Sequence, residues 1–286
     1  MGDGGIVMRR TVGGPARVGG RHNWGYRAAA LLLGGMLIVG CSEENSDWPA
    51  AGPEQPASAG SPALVRLSLT SECVTTADLE GAFSSSADMD DYLECILPIL
   101  PDWAKSAYSQ MPMPDGFLLV PTGHSSLVGT QASGCPLDDG VLLYCEVDRQ
   151  VYLGEQAVWG LYTHNGDAAP VLVSAHELTH HFQLMVKMPR AATYNEQIRY
   201  ENQADCGAGA FMNFANKQGY VDPNDDIKDL ADALNAAGEA EGPDQSHGTS
   251  AERLAAFDTA FLSTNANPLV ACNSFTPDHQ LINPTP

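Results

Sequence analysis

Residues 174–183 read SAHELTHHFQ, and they sit inside a longer pattern. Val171, Leu172, Ala175, Leu178, Phe182, Met185 and Val186 recur at helical spacing, which predicts a helix over 168–187. Pro170 falls in the first turn, where proline is tolerated, and Met188-Pro189 ends the run. On such a helix His176 and His180, four apart, project from one face, so both imidazoles can reach one ion. Glu177 lies between them and can reach a water on that ion. This is the HExxH arrangement of two zinc ligands and a general base. The alternative is a pair of helix-surface histidines with no ion. His181 points about 100° away from His180 and cannot join the pair, so it is assigned a supporting or packing role. Gln183 faces near the Glu177 side of the helix, with no role assigned.

A catalytic zinc site needs a third protein ligand and an open position for water. Residues 200–206 read YENQADC, inside a second long helix expected from Thr193 to Lys217 and stopped by Gly219. Glu201 follows His180 by 21 residues. Two antiparallel helices joined by a turn near Pro189 would set Glu201 opposite the histidines. Asp205, one turn on, is placed to accept a hydrogen bond from a ligand histidine's other nitrogen. This spacing resembles that of the gluzincins, the thermolysin-like class. An exposed helix carboxylate is the alternative for Glu201; His164, Asp167 and Glu196 are other candidates. Glu196 and Glu201 lie 100–140° apart round the helix and cannot both face the ion.

Outward from these helices, residues 76–109 look mainly helical, with Pro98 and Pro101 breaking the run and Trp103 beginning a second short piece. Gly116 with Phe117–Val120 predicts a buried strand. Residues 141–153, VLLYCEVDRQVYL, predict two strands or one bent one, and the alternation in 147–153 suggests an edge strand. Asp222-Pro223 starts a helix near 225–237. Thr249 and Glu252 make a capping box for a last helix, 250–262, with Leu254, Phe257 and Phe261 on one face. The small residues of AGAF (208–211) would let another helix approach closely.

The N-terminus differs in kind. Residues 1–27 hold five arginines and one acid, and 28–39 read AAALLLGGMLIV. A basic segment and a short apolar one define a signal peptide over 1–40, too short to span a bilayer stably. Ile38-Val39-Gly40-Cys41 resembles a bacterial lipobox, in which the Cys41 sulfur carries a diacylglycerol and becomes the new N-terminus. An ordinary signal peptide with an incidental cysteine is the alternative. Residues 42–62, rich in Pro, Ala, Ser, Gly and Glu, read as a flexible tether. Without residues 1–40 the chain keeps 9 Lys+Arg against 34 Asp+Glu, a formal charge of −25. That excludes nucleic acid as a partner and a basic patch on anionic lipid. Apart from Cys41 there are six cysteines, and an even number in an exported chain suggests disulfides. Closeness favours Cys73–Cys95 and Cys135–Cys145, which leaves Cys206–Cys272. No CxxC pair supports a cysteine-rich zinc site.

CEVDRQVYL (145–153), AHELTHHFQ (175–183), YENQADCGAGAF (200–211), GYVDPNDDIKDLADALNAAG (219–238) and HGTSAERLAAFDTAFL (247–262), closed by Cys272, together resemble the neutral zinc metallopeptidases of bacteria. That family carries HExxHHxQ, then ELQADCxAG, an ALNAA-like stretch, and HGSSxxR. The resemblance covers about 135–275 in the same order and at similar spacing. It departs at Leu178-Thr179, at Tyr200-Glu201-Asn202 and in a short connector after the first helix, none of which removes a ligand. It implies a zincin-like, α+β fold, mostly helical with a small β-sheet beside the HExxH helix, over 63–286. It also supports Cys135–Cys145 and Cys206–Cys272.

The expected function is a Zn2+-dependent peptidase held outside the cytoplasm by its lipid, with a peptide or protein as substrate. Zinc is held by His176, His180 and Glu201, and Glu177 is the base. His247 is the first candidate for oxyanion donor and Tyr200 the second; capping or packing before the last helix is the alternative for His247. The 147–153 strand could hold a peptide by β-addition. A zinc-stabilised lipoprotein that acts by binding, and an amidase for cell-wall peptide, are the rival functions.

Overall fold

The computed structural model describes residues 62–70, 79, 81–108, 111–126, 134–222, 226–242 and 245–282. The signal peptide, Cys41, nearly all of the tether, and Cys73 of the expected Cys73–Cys95 pair lie outside these residues. Among the described residues no helix is long and apolar enough to cross a membrane.

Two helices organise the chain. Helix α4 (Ala169–Met185) carries SAHELTHHFQ, and α5 (Tyr194–Gln218) carries YENQADC. The local signals act as they should. Pro170 occupies the first turn of α4; the Thr193 hydroxyl caps α5 through the Glu196 amide; Gly219 closes α5 in the left-handed region at φ 76°. The helices run antiparallel, so Gln183 meets Tyr200 and Gln203 near the turn while His176 meets Asp205 further along. Glycine sets how closely they approach. A Cβ on Gly207 would lie 2.1 Å from the Thr179 hydroxyl of α4. One on Gly209 would lie 2.1 Å from the backbone oxygen of Phe257, in α7 (Ser250–Phe261). The small residues of AGAF therefore let α7 pack on α5 backbone to backbone.

The sheet is mixed. Strands β1 (Val65–Arg66), β2 (Gly116–Val120), β5 (Leu142–Cys145) and β6 (Gln150–Gly154) lie in the order β1-β2-β6-β5. β2 and β6 are parallel and the other pairs antiparallel. A separate two-stranded ribbon joins β3 (Ser125–Ser126) to β4 (Leu137–Asp138). Alternation divides the sheet's residues between two cores. Phe117, Leu119, Leu142, Tyr144, Val151 and Leu153 join the main core with the helices. Leu118, Val120, Leu143, Cys145 and Tyr152 form a smaller cluster with Leu137 on the other face. The Cys135–Cys145 disulfide closes that second face.

Three sequence expectations are corrected. The 147–153 segment is not an edge strand: β6 lies inside the sheet, with β2 paired on one side from far upstream and β5 on the other, and the edges of this sheet are β1 and β5. The polar residues that made 147–153 look half-exposed, Asp148 and Arg149, belong to the turn before β6. The helical run ending at Ala107 is split only at Leu97-Pro98, into α1 (Met89–Ile96) and α2 (Ile99–Ala107). Pro101 stays in the first turn of α2, where the missing N–H has no partner to lose. Helix α3 (Glu155–Asn165) was not foreseen, since its apolar residues mark no clear stripe. Helix α6 (Asp226–Ala236) and the capping box of α7, Thr249 with Glu252, match their expected positions.

Candidate metal centre

His176 and His180 leave α4 on one face, and α5 sets Glu201 against them. The three nearest atoms form an almost equilateral triangle. His176 Nε2 and His180 Nε2 are 3.1 Å apart, and Glu201 Oε2 is 3.2 Å and 3.3 Å from them. His176 and Glu201 are buried and His180 half-buried.

The protons on these rings can be placed. His176 Nδ1 donates to Asp205 Oδ1 at 2.9 Å. His180 Nδ1 donates to the Gln183 carbonyl oxygen at 2.8 Å. In their neutral forms both imidazoles thus present a bare Nε2 lone pair to the carboxylate oxygen of Glu201. Glu201 Oε2 is buried with no hydrogen-bond donor of its own among the described residues. With the two rings neutral, three lone pairs face one another there, and a cation among them would satisfy all three. Donors held at 2.0–2.1 Å from a tetrahedral zinc lie about 3.3 Å apart, so the triangle and its two-nitrogen, one-oxygen donor set fit zinc. Without a cation the same atoms gather protons. Burial acts to lower the His176 imidazole, but Asp205 and Glu201 overrule it and hold it up at about 10. Burial acts to raise the Glu201 carboxyl, and the two imidazoles hold it well below the usual carboxylate range.

The support behind His176 is ionic. Both oxygens of Asp205 are bound by the Arg253 guanidinium, at 2.9 Å each, and Arg253 also donates to the Ala237 backbone oxygen. Arg253 was present in the HGTSAER segment but carried no assigned role. Its signal is a charge on the buried stripe of α7, beside Ala256, Phe257 and Ala260.

Glu177 sits beside the triangle, 4% exposed. The Tyr144 amide of β5 donates to its Oε2 at 2.7 Å. Burial raises its carboxyl, and the neighbouring imidazoles only partly offset this. His181 turns away, between the Tyr144 hydroxyl and the Pro112 backbone oxygen. Burial lowers its imidazole. Gln183 turns to His180, three residues before it, and not to Glu177.

His247, in the turn before α7, is brought into the site. Its Nε2 lies 3.9 Å from Glu201 Oε2, and its Nδ1 faces Glu239 at 3.2 Å and the Ser246 hydroxyl at 2.8 Å. Glu239 is a partner that sequence reasoning missed; it lies after α6 with nothing local to mark it. Tyr200 is not in the site. One residue before Glu201 turns it about 100° round α5, and it lines a surface depression with Pro189, Arg190, Glu196 and Arg199. Of the other candidates, Glu196 accepts from the Ala192 amide at the start of α5, His164 faces the Gly160 backbone oxygen, and Asp167 lies outside the triangle. A cavity of about 50 Å³ opens beside the centre, lined by His176, Glu177 and His247 and by aliphatic residues including Leu142, Leu161, Leu172 and Leu234. The Cys206–Cys272 disulfide ties α5 to the 3-10 segment Pro268–Ser274.

Two histidines one helical turn apart, a glutamate from the next helix and a carboxylate beside them define a protein of the HExxH-plus-glutamate metal class. The chain belongs to the family described as "Putative neutral zinc metallopeptidase", whose model matches residues 127–275 and so takes in every member of the triangle, Asp205, His247 and Arg253. It is 29% identical over 177 residues to the protein YpfJ of Escherichia coli K12, and equally to YpfJ of Escherichia coli O6:H1. The match covers 51% of this chain and 59% of each relative, less than two thirds of their length. No solved structure matches.

Proposed function

We propose that the chain is a zinc peptidase in which His176, His180 and Glu201 hold the metal and Glu177 is the general base. The observation that carries this reading is the pairing of a triangle able to hold a cation with a buried carboxylate beside it. A purely structural metal site gains nothing from Glu177. Bound at those three atoms, zinc supplies Lewis acidity, which polarises a carbonyl and acidifies water.

The chain's own residues do the rest. Glu177 takes a proton from water as the water oxygen bonds to the peptide carbonyl carbon. Burial raises this carboxyl, which makes it a stronger base than a surface glutamate. The Tyr144 amide fixes one of its oxygens and leaves the other to work. As the carbon–nitrogen bond breaks, the same proton passes to the leaving amine. His247 donates from Nε2 to the developing oxyanion. Glu239, facing its Nδ1 at 3.2 Å, orients the ring.

Substrate placement follows from the corrected sheet. The Tyr144 amide points away from β6, so the free edge of β5 faces the centre, and a peptide can lie along it by strand addition. The cavity beside Glu177 favours an aliphatic side chain next to the cleaved bond, because an acidic one would be desolvated near Glu177. Residues 1–41 support export and lipid anchoring through Cys41, with no nucleic-acid partner.

The test is Glu177→Gln, assayed on unfolded proteins, peptides and peptidoglycan fragments. Zinc should stay bound while cleavage is lost. Unchanged cleavage with zinc bound overturns the mechanism, and cleavage of peptidoglycan fragments alone makes the chain a cell-wall amidase.

A further inference from the structure

We propose that Gln183 and Gln203 are positioning residues that form a one-way amide relay and hold the Nε2 lone pair of His180 on the metal position. This rests on the reading of His180 as a ligand.

The direction of every bond can be assigned. At the far end, Gln203 Nε2 meets the Cys272 backbone oxygen at 3.2 Å, which can only accept, and Thr276 Oγ1. The Thr276 hydroxyl donates to the His279 backbone oxygen at 2.7 Å, so toward Gln203 it too accepts. The Gln203 amide nitrogen is therefore pinned on that side and its oxygen must face Gln183. Gln183 Nε2 donates to that oxygen at 3.0 Å and to the Tyr200 backbone oxygen at 2.9 Å. Its own oxygen then faces His180 Nδ1, at 2.8 Å, and is an acceptor. His180 Nδ1 must carry a proton, so in the neutral ring the lone pair is on Nε2.

The relay is closed to water at its core: Gln203 and Cys272 are fully buried, and Gln183 and Thr276 nearly so. Flipping either amide would set donor against donor and acceptor against acceptor, leaving buried polar groups unsatisfied. The two ligand histidines are thus held by different means. His176 leans on the charged Asp205–Arg253 pair; His180 leans on a neutral chain that adds no charge to a centre already holding Glu177 and Glu201. The far end is anchored by the Cys206–Cys272 disulfide. Outer partners of this kind typically change metal affinity by about 10–100-fold.

The experiment measures zinc affinity of the purified protein against a chromophoric chelator, with thermal melting recorded for each variant. Gln183→Met, similar in size but without the acceptor, should weaken zinc binding about 10–100-fold. Gln203→Met should weaken it less, and the double variant should be no worse than Gln183→Met, because Gln203 acts only through Gln183. Gln183→Glu keeps an acceptor for Nδ1 but sets an oxygen against the Tyr200 and Gln203 oxygens. It should lower the melting temperature while retaining zinc affinity near that of the parent, a split that a merely structural role would not give. Affinity in Gln183→Met within about threefold of the parent, or additive effects, overturns the relay. Should Gln183→Met fail to fold, an unchanged affinity in folded Gln203→Met overturns it. A parent that binds zinc but cleaves nothing overturns the peptidase reading and leaves the relay standing; a parent that binds no zinc overturns both.

Discussion

Arg253 binds both carboxylate oxygens of Asp205, 48 residues away in the chain, and Asp205 in turn accepts a hydrogen bond from Nδ1 of His176. The pair is buried, so each charge depends on the other. Arg253→Met should leave Asp205 uncompensated and destabilise the protein by about 3–5 kcal/mol, because removing one partner strands a buried charge. Zinc affinity should fall with it. Denaturant unfolding checks the first outcome and chelator competition the second.

The same pair sets an acid limit. Burial acts to raise the Asp205 carboxyl, but Arg253 and His176 hold it below its usual value. A depressed carboxylate contributes stability above its unfolded pKa and loses it as pH falls through the folded value. The metal-free protein should show an alkaline limit as well. His176 is raised to about 10 in that state, so its contribution is complete below about 6.5 and is lost as pH rises toward 10. A metal held by His176 would occupy Nε2 in place of that proton. Melting temperature against pH, with and without chelator, should diverge on the alkaline side, and parallel curves would contradict this account.

His247 stands 3.9 Å from Glu201 and is backed by Glu239. If it stabilises the oxyanion, His247→Asn should lower kcat by about 10²-fold or more with little change in KM or zinc content, since the lost contact exists only in the transition state. A change in KM alone would assign it to substrate binding.

Gly209 allows α7 to lie on α5. Alanine there would drive a methyl to 2.1 Å from the Phe257 backbone oxygen, and backbone cannot swing aside. Gly209→Ala should cost at least about 1–3 kcal/mol, the usual range for overpacking, and lower the melting temperature. It should also loosen Arg253 from Asp205, since α7 carries the arginine.

How far the sequence was legible follows from the range of each interaction. The two long helices and the cap of α7 were readable because periodicity and capping act within one or two turns. His176, His180 and Glu177 are also local, set by a four-residue spacing. The sheet order was not readable: whether β6 is an edge depends on β2, which pairs from the other side. Tyr200 was misplaced because adjacency to Glu201 in sequence is about 100° of separation on a helix.

By itself, then, the sequence determined the two long helices, α6, the cap of α7 and a candidate donor set, since propensity, caps and helical phase are properties of neighbouring residues. Only the tertiary structure decided how those donors are protonated and held. Arg253 reaches Asp205 from α7, Glu239 reaches His247 from beyond α6, and Cys272 and Thr276 orient Gln203 from the C-terminal segment. A buried hydrogen bond has a direction that only its full set of partners fixes, and Arg253, Cys272 and Thr276 lie 48 to 73 residues from the Asp205 and Gln203 they bind.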